Sequence, residues 1–218
     1  VRLLDVCFGL GYNTAAACAA APAGGRLAVE ALEIDATVVR AAARHLDAAA
    51  TTTPQHRAVL QALAADQAYA GPEARVRLHI GDARATLDRA ADGRTFDVVF
   101  LDAFSTQRNS ELWTLDFIRR LRAVLAPAGV IVTYCAALPV RAAFLQAGLH
   151  VGRTPPLGRK RGGTIAALSP AAIELPLPAR DLERIRQTRR GVAYRDPGQV
   201  WSNKQILRQR EQAIAAWS

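Results

Sequence analysis

Three carboxylates and a pair of glycines mark where this chain can do chemistry. Asp102 closes the apolar run Phe96–Leu101 and precedes the polar loop AFSTQRNSELW. A short, almost continuous apolar run reads as a strand covered on both faces, as in a parallel sheet. An acid inside that run would be desolvated at high cost. At its carboxyl end, an acid faces the crevice where open α/β sheets bind ligands. Asp102 is therefore either an acid at a reacting centre or a cap on a loop, and the other strand ends bear on the choice.

The first of these is the run from Arg2 to Phe8, which leads into Gly9-Leu10-Gly11-Tyr12-Asn13 and an Ala-rich helix to about Ala21. Glycines let a backbone approach a ligand where a Cβ would collide, and the helix behind them offers N–H groups with no intrahelical acceptor. As a dinucleotide fingerprint the spacing fails, because the third glycine would have to stand at Thr14. As D-x-x-x-G-x-G, the loop of an S-adenosylmethionine site, it fits with Asp5, Gly9 and Gly11. The second strand, Arg26 to Ile34, ends in Glu33-Ile34-Asp35. An acid about 20 residues past the glycine turn can accept both ribose hydroxyls. Glu33 is the candidate for that role, with Asp35 as helix cap, and the alternative is that both acids simply cap the helix. A third strand, Arg75 to Ile80, ends in Gly81-Asp82-Ala83, where Asp82 can accept from an adenine amino group.

Strand ends carrying Gly9 and Gly11, Glu33, Asp82 and Asp102 all fall on one edge of a parallel sheet. That constellation suits an adenosine with a charged, non-phosphate tail, and no P-loop lysine motif is present for a triphosphate. The candidate cofactor set is Asp5, Gly9, Leu10, Gly11, Asn13, Glu33, Asp82, Ala83 and Asp102, with Asp102 also the candidate catalytic acid.

Composition narrows the partners. The net charge is +9, from 28 Lys and Arg against 19 Asp and Glu, which favours a polyanion, with nucleic acid first. Only Lys160 and Lys204 are lysines, so an Arg-rich genome bias is the competing explanation. No apolar run approaches the roughly 18 to 20 residues of a membrane span, and no secretory signal is visible, so a cytoplasmic protein is expected. Val1 already lies in the first apolar run, an abrupt start that reads as truncated. Cys7, Cys18 and Cys135 fit no zinc spacing and read as reduced packing residues, and no metal site is expected. His45 and His56 have no metal-type partners nearby and read as surface residues.

The remaining elements complete an alternating α/β pattern. A helix is expected over Gln55–Ala70 and another over Glu111–Leu125. A fifth strand follows at Val130–Tyr134, a helix at Leu138–Gln146, and short strands at Leu149–Gly152 and Gly163–Leu168. The last strand, entered through a hairpin-like connection, should be antiparallel. Beyond Ser169 the composition shifts to a Pro-rich linker, a basic helix over Asp181–Arg190 and a last helix over Ser202–Trp217. Arg184, Arg186, Arg189 and Arg190 are candidates for RNA contact, or simply a solvated face.

Four stretches, DVCFGLGYN, LDAFSTQRNSELWT, TYCAALPVRAAFLQAGL and GRKR, occur in that order. Over Leu3 to Leu168 they resemble the methyltransferase module of the bacterial tRNA 5-methylaminomethyl-2-thiouridine biosynthesis enzymes. The tail Gly191-Val-Ala-Tyr-Arg-Asp-Pro197 resembles the stand-alone form, without an oxidase domain. The resemblance implies an α/β, class I S-adenosylmethionine-dependent methyltransferase fold, with a mostly parallel seven-stranded sheet and helices on both faces. That domain would span 1–168, with 169–218 a basic appendage packed on it. The implied cofactor is S-adenosyl-L-methionine. The implied partner is tRNA, whose wobble uridine carries a 5-aminomethyl group supplied by a separate oxidase or modification enzyme. Asp102 would sit beside the methyl-transfer centre. Phe104, Asn109, Trp113 and Tyr134 would meet the substrate, together with the basic element Arg159, Lys160 and Arg161. Thr106 and Ser110 stand where that family has prolines, which predicts a looser loop over the site. Aminopropyl transfer of the spermidine synthase type, nicotinamide-dependent redox chemistry and a non-catalytic RNA-binding role are the alternatives.

Overall fold

A computed structural model describes residues 1–21, 26–45, 53–156 and 162–217 of the chain. It forms two compact units, Val1–Asp102 and Ala103–Ser218. The expected basic element Arg159–Arg161 lies outside the described residues.

The first unit alternates strands and helices. It runs β1 (Arg2–Val6), α1 (Tyr12–Ala20), β2 (Leu27–Glu33), α2 (Ala36–His45), α3 (Pro54–Asp66), β3 (Ala68–Ala70), β4 (Ala74–Ile80), α4 (Ala83–Ala91) and β5 (Phe96–Leu101). The strands lie in the order β3-β4-β2-β1-β5, all parallel except β3. Register decides what the carboxyl edge carries. Val6 pairs with Leu32 on one side and Leu101 on the other, and Glu33 pairs with Ile80. The next residues along these strands therefore emerge together, which puts Cys7, Glu33, Asp82 and Asp102 on one edge. Below that edge, Leu3, Val29 and Val76 pack with Val59, Leu60 and Leu63 of α3 in a buried cluster. Completely burying a side chain of this size is worth about 1.5–3 kcal/mol, so the edge rests on a firm base.

Two expectations change here. The helix over Gln55–Ala70 stops at Asp66, because Gln67 takes a left-handed conformation and Gly71-Pro72 turns the chain back. Ala68–Ala70 then pairs antiparallel with Arg75–Arg77. Among the described residues this hairpin raises the strands to eight, against the seven expected. His56 is buried rather than exposed. It is placed by Thr53, whose hydroxyl caps α3 by accepting the His56 N–H at 3.1 Å.

The second unit holds α5 (Leu115–Ala123), β6 (Leu125–Thr133), α6 (Leu138–Gln146), β7 (His150–Arg153), β8 (Thr164–Ala167), α7 (Ala179–Gln187) and α8 (Asn203–Ala215). As expected, β8 is antiparallel, paired with β6 on one side and β7 on the other. The single helix expected over Glu111–Leu125 is broken. Ser110–Trp113 is a 3₁₀ turn, and Thr114 is extended, capping α5 by accepting the Phe117 N–H. Thr114 leaves the helical path because it bridges to Tyr194, whose carbonyl accepts the Leu115 N–H at 3.0 Å. Residues 169–217 are thus laced into this unit, with Tyr194, Asp196 and Ile206 buried. No helix among the described residues is long and apolar enough to cross a membrane.

Candidate functional site

The glycine turn and β2 are tied by one carboxylate. Glu33 Oε2 accepts the Gly9 N–H at 2.8 Å and Oε1 accepts the Asp35 N–H at 3.0 Å. Each carboxylate oxygen keeps a further lone pair, so Glu33 can hold the loop and still accept hydroxyl donors. Asp35 caps α2, as expected, by accepting both the N–H and the hydroxyl of Thr37. Gly9 and Gly11 are left-handed. At Gly11 an added Cβ would lie 2.7 Å from Phe8 Cζ, so no side chain fits under the turn. Gly11 also caps α1 without a side-chain hydrogen bond, leaving the first turn of that helix to a ligand or water.

Asp5 sits beneath this loop and is fully buried. Its Oδ2 accepts the Thr14 hydroxyl at 2.6 Å, while Oδ1 has no partner. Burial pushes its pKa up to about 7, with the charges of Asp102 and Glu33 adding to the rise and the Thr14 hydrogen bond opposing it. Cys7, left-handed at φ 68°, lies between them. Burial and the surrounding carboxylates push its thiol up to about 12, so it is an inert packing group rather than a nucleophile.

At the end of β5, Asn13 Nδ2 donates to Asp102 Oδ2 at 2.9 Å. The helix behind the glycine turn thereby fixes the exposed acid. Asp82 caps α4 through the Arg84 N–H, and its carboxylate also takes the Arg84 guanidinium at 2.7 Å. Ala83 is the buried first residue of that helix.

Sequence reasoning missed three contributors in this unit. Arg84 shares the Asp82 carboxylate. The side chain of His56 places a ring nitrogen 3.0 Å from the Leu10 carbonyl and packs against Tyr12, with 5.1 Å between the ring centroids. Ile34 is 71% exposed beside Glu33, an apolar surface at an otherwise polar edge. Only Ile34 had a local signal, as an apolar residue between two strand-end acids.

In the second unit the residues after Asp102 are pinned. Trp113 Nε1 donates to the Phe104 carbonyl at 2.7 Å, and the Tyr134 hydroxyl to that of Ala103 at 2.8 Å. The Trp113 and Tyr134 rings meet edge to face at 6.2 Å. Trp113 is buried, while Phe104 is 72% exposed. Asn109 bonds Glu111 at 3.2 Å. The expected looseness at Ser110 is absent. Its N–H and hydroxyl both donate to Asn203 Oδ1, and Asn203 Nδ2 donates to the Gln107 carbonyl. Asn203, 93 residues away, has no local sequence signal.

Taken as a receptor, the first unit fits S-adenosylmethionine on its own evidence. It has an orphaned buried Asp5 oxygen, a glycine turn that excludes a Cβ, and acids at three strand ends beside an exposed Ile34. Among the described residues no group of His, Cys, Asp or Glu is arranged to hold a metal ion.

Comparison with known proteins gives the same answer by another route. Residues 46–169, more than half of the chain, match a family model described as S-adenosyl-L-methionine-dependent methyltransferase. The tRNA 5-methylaminomethyl-2-thiouridine biosynthesis bifunctional protein MnmC of Cupriavidus necator is 33% identical over 121 residues, 54% of this chain and 18% of that protein. An uncharacterised protein of Methanocaldococcus jannaschii is 30% identical over 137 residues, 63% of this chain and 38% of that one. The chain therefore spans well under half the length of these relatives. The crystal structure of MNMC2 from Aquifex aeolicus superposes with a TM-score of 0.81 at 28% identity, covering 100% of this chain and 68% of that one. A putative O-methyltransferase of Klebsiella pneumoniae, 22% identical with a TM-score of 0.50 over 76% of this chain and 72% of its own, shares the fold. With fold, edge chemistry and family model in agreement, the chain belongs to the S-adenosyl-L-methionine-dependent methyltransferases and uses S-adenosyl-L-methionine as its cofactor.

Proposed function

We propose that the chain transfers the methyl group to the 5-aminomethyl nitrogen of a wobble uridine in tRNA, giving 5-methylaminomethyl-(2-thio)uridine. The observation that carries this reading is the Asn13–Asp102 hydrogen bond, which fixes a carboxylate at the end of β5, immediately before the pinned loop. The names of its relatives and the net charge of +9 support a tRNA partner.

When bound, S-adenosylmethionine supplies an electrophilic sulfonium methyl. Glu33 would accept the ribose hydroxyls, Ile34 would offer an apolar surface to the purine, and Asp82, shared with Arg84, would accept from its amino group. Asp5, Leu10 and Asn13 position the loop beneath. The substrate amine must present a lone pair. A Lys-like amine has a pKa around 10, so neutralising it at pH 7 costs roughly 4 kcal/mol. The amine gives that proton up to water, and Asp102 accepts a hydrogen bond from the neutral amine and aims its lone pair. Phe104 and Tyr134 offer aromatic faces for the uridine. Arg159, Lys160 and Arg161 hold backbone phosphates. A separate oxidase or modification enzyme supplies the aminomethyl group.

The test is methyl transfer from labelled S-adenosylmethionine into tRNA carrying 5-aminomethyluridine, with the product nucleoside identified by mass. Asp102→Ala should lower kcat by about 100-fold or more while cofactor affinity stays within about threefold. Equal losses in both would make Asp102 a binding residue. No methyl incorporation by the unsubstituted chain would overturn the substrate assignment.

A further inference from the structure

The second unit contains a cleft of about 650 Å³ where the start of α6, the end of β7 and α7 come together. Its charged lining is lopsided: Arg141, Arg153, Arg180 and Arg184 face a single carboxylate, Asp181. That carboxylate is already committed. Arg141 is buried and donates from Nη1 to Asp181 Oδ2 at 3.0 Å. Its Nε donates to the Thr164 hydroxyl and its Nη2 to the Gly163 carbonyl, so the guanidinium is consumed in joining α6, α7 and β8. Arg141 and Asp181 therefore neutralise each other as part of the fold.

Arg153, Arg180 and Arg184 remain. All three are exposed, and among the described residues no ion pair engages them. Arg180 and Arg184 are four residues apart on α7, which puts two like charges on one helical face. Arg153 is also close enough to lower the pKa of Arg141, after burial and against the pull of Asp181. The wall beside them is stiff. The Gly163 N–H donates to the Thr154 hydroxyl at 2.7 Å, and no side chain would fit at Gly162 against the Thr154 carbonyl. Three fork-shaped donors thus line one recess, and among the described residues none of them is in an ion pair. Guanidinium forks match phosphate oxygens in pairs, so the recess suits a phosphate or phosphodiester group.

We propose that Arg153, Arg180 and Arg184 form a phosphodiester-binding cleft that grips the tRNA backbone. This rests on the tRNA reading above. The probes are an unmodified tRNA transcript and inorganic tripolyphosphate, and the protein is the full chain. Each phosphate contact contributes about 0.7–0.9 to the slope of log K against log salt. Replacing the three arginines by Gln should weaken tRNA binding about tenfold or more at 0.1 M salt and lower that slope by about one or more. Cofactor affinity and Tm should not change, and replacing the three by Lys should restore most of the slope. A charge-matched control in the first unit, Arg75→Gln with Arg77→Gln and Arg89→Gln, should change the slope less, since these exposed residues do not line the cleft. The proposal is overturned if the unsubstituted chain methylates tRNA while the cleft variant keeps the same slope and the same KM for tRNA. Equal losses in the control variant would overturn it as well. If the unsubstituted chain binds cofactor but neither binds nor methylates tRNA, the substrate reading itself has failed. Tripolyphosphate binding lost only in the cleft variant would then assign the cleft to a free anion instead.

Discussion

Asp5 shows how a single buried acid is left for a ligand to complete. Its neighbours supply one hydroxyl, from Thr14, and leave Oδ1 without a partner. The consequence for stability has a definite sign. The carboxyl is raised from 3.8 to about 7 in the folded protein, first by burial. The folded state therefore holds this proton more tightly than the unfolded chain does. The stability it contributes is present in full below pH 3.8 and is lost as pH rises towards about 7. That rise corresponds to an order-of-magnitude ceiling of about 4 kcal/mol. Asp5→Asn keeps the shape and an acceptor for Thr14 but cannot titrate. Its denaturation free energy should flatten between pH 4 and 7, and above pH 7 it should exceed that of the unsubstituted protein. Parallel pH profiles for the two proteins would show that Asp5 does not carry the shift. Cofactor affinity should fall in the same variant if the Oδ1 carboxylate oxygen is what a bound ligand satisfies.

Glycines divide the elements into those that need only a turn and those that need space. Gly11 and Gly93 are both left-handed, at φ 75° and 70°. Nothing lies within 4 Å of a Cβ added at Gly93, whereas at Gly11 it would strike the Phe8 ring and crowd Leu60. Gly93→Ala should therefore cost only the backbone term, about 1–2 kcal/mol, with cofactor affinity unchanged. Gly11→Ala should cost more and also weaken cofactor binding at least tenfold, since Phe8 and the turn must move together. Titration calorimetry beside chemical denaturation separates the two, and an unaltered cofactor affinity in Gly11→Ala would remove the turn from the site. The same contrast explains what was legible beforehand. The strand ends at Gly9, Glu33, Asp82 and Asp102 could be read because period and turn chemistry are local, and β5 runs over Phe96–Leu101 as expected. The β3 hairpin was hidden because Ala68-Tyr69-Ala70 continues an Ala-rich helical pattern, and only pairing with β4 makes it a strand. Arg84 and His56 were hidden because a side chain's partner, unlike its period, is set by packing. The break at Thr114 and the Asn203 clamp depend on segments 80 to 93 residues away, which no window of sequence can see.

At the scale of the chain, the question is whether residues 169–218 decorate the second unit or build it. Composition favours decoration, with a Pro-rich linker followed by basic helices. The contacts favour construction. Asp116 takes Arg195 through two guanidinium hydrogen bonds, both at 3.0 Å, and the Asp196 N–H at 2.7 Å. Burial pushes the Asp116 carboxyl up, but the Arg195 and Asp196 hydrogen bonds win, and its pKa falls below the ordinary value. That stabilisation is present above pH 3.8 and is lost as pH falls below it. Asp196 is itself buried and receives the Val200 and Trp201 N–H groups, while Arg210 lies 4.8 Å from the centre of the Tyr194 ring. Removing the tail would strip Tyr194 and Ile206 from the interior and leave Asp116 and Arg141 without their charged partners. The loss of two large buried side chains alone is worth several kcal/mol, a large share of the 5–15 kcal/mol that holds a typical domain. A chain ending at Leu168 should therefore lose the cooperative melting of the full chain. Amides of α5 and α6 should then exchange as though that unit were unfolded. If the shortened chain keeps a sharp transition within a few degrees of the original, the tail is an appendage after all. Asp116→Asn in the full chain gives a milder version of the same test. It should lower Tm at pH 7, and the effect should shrink as pH falls below 3.8, where the stabilisation is progressively lost.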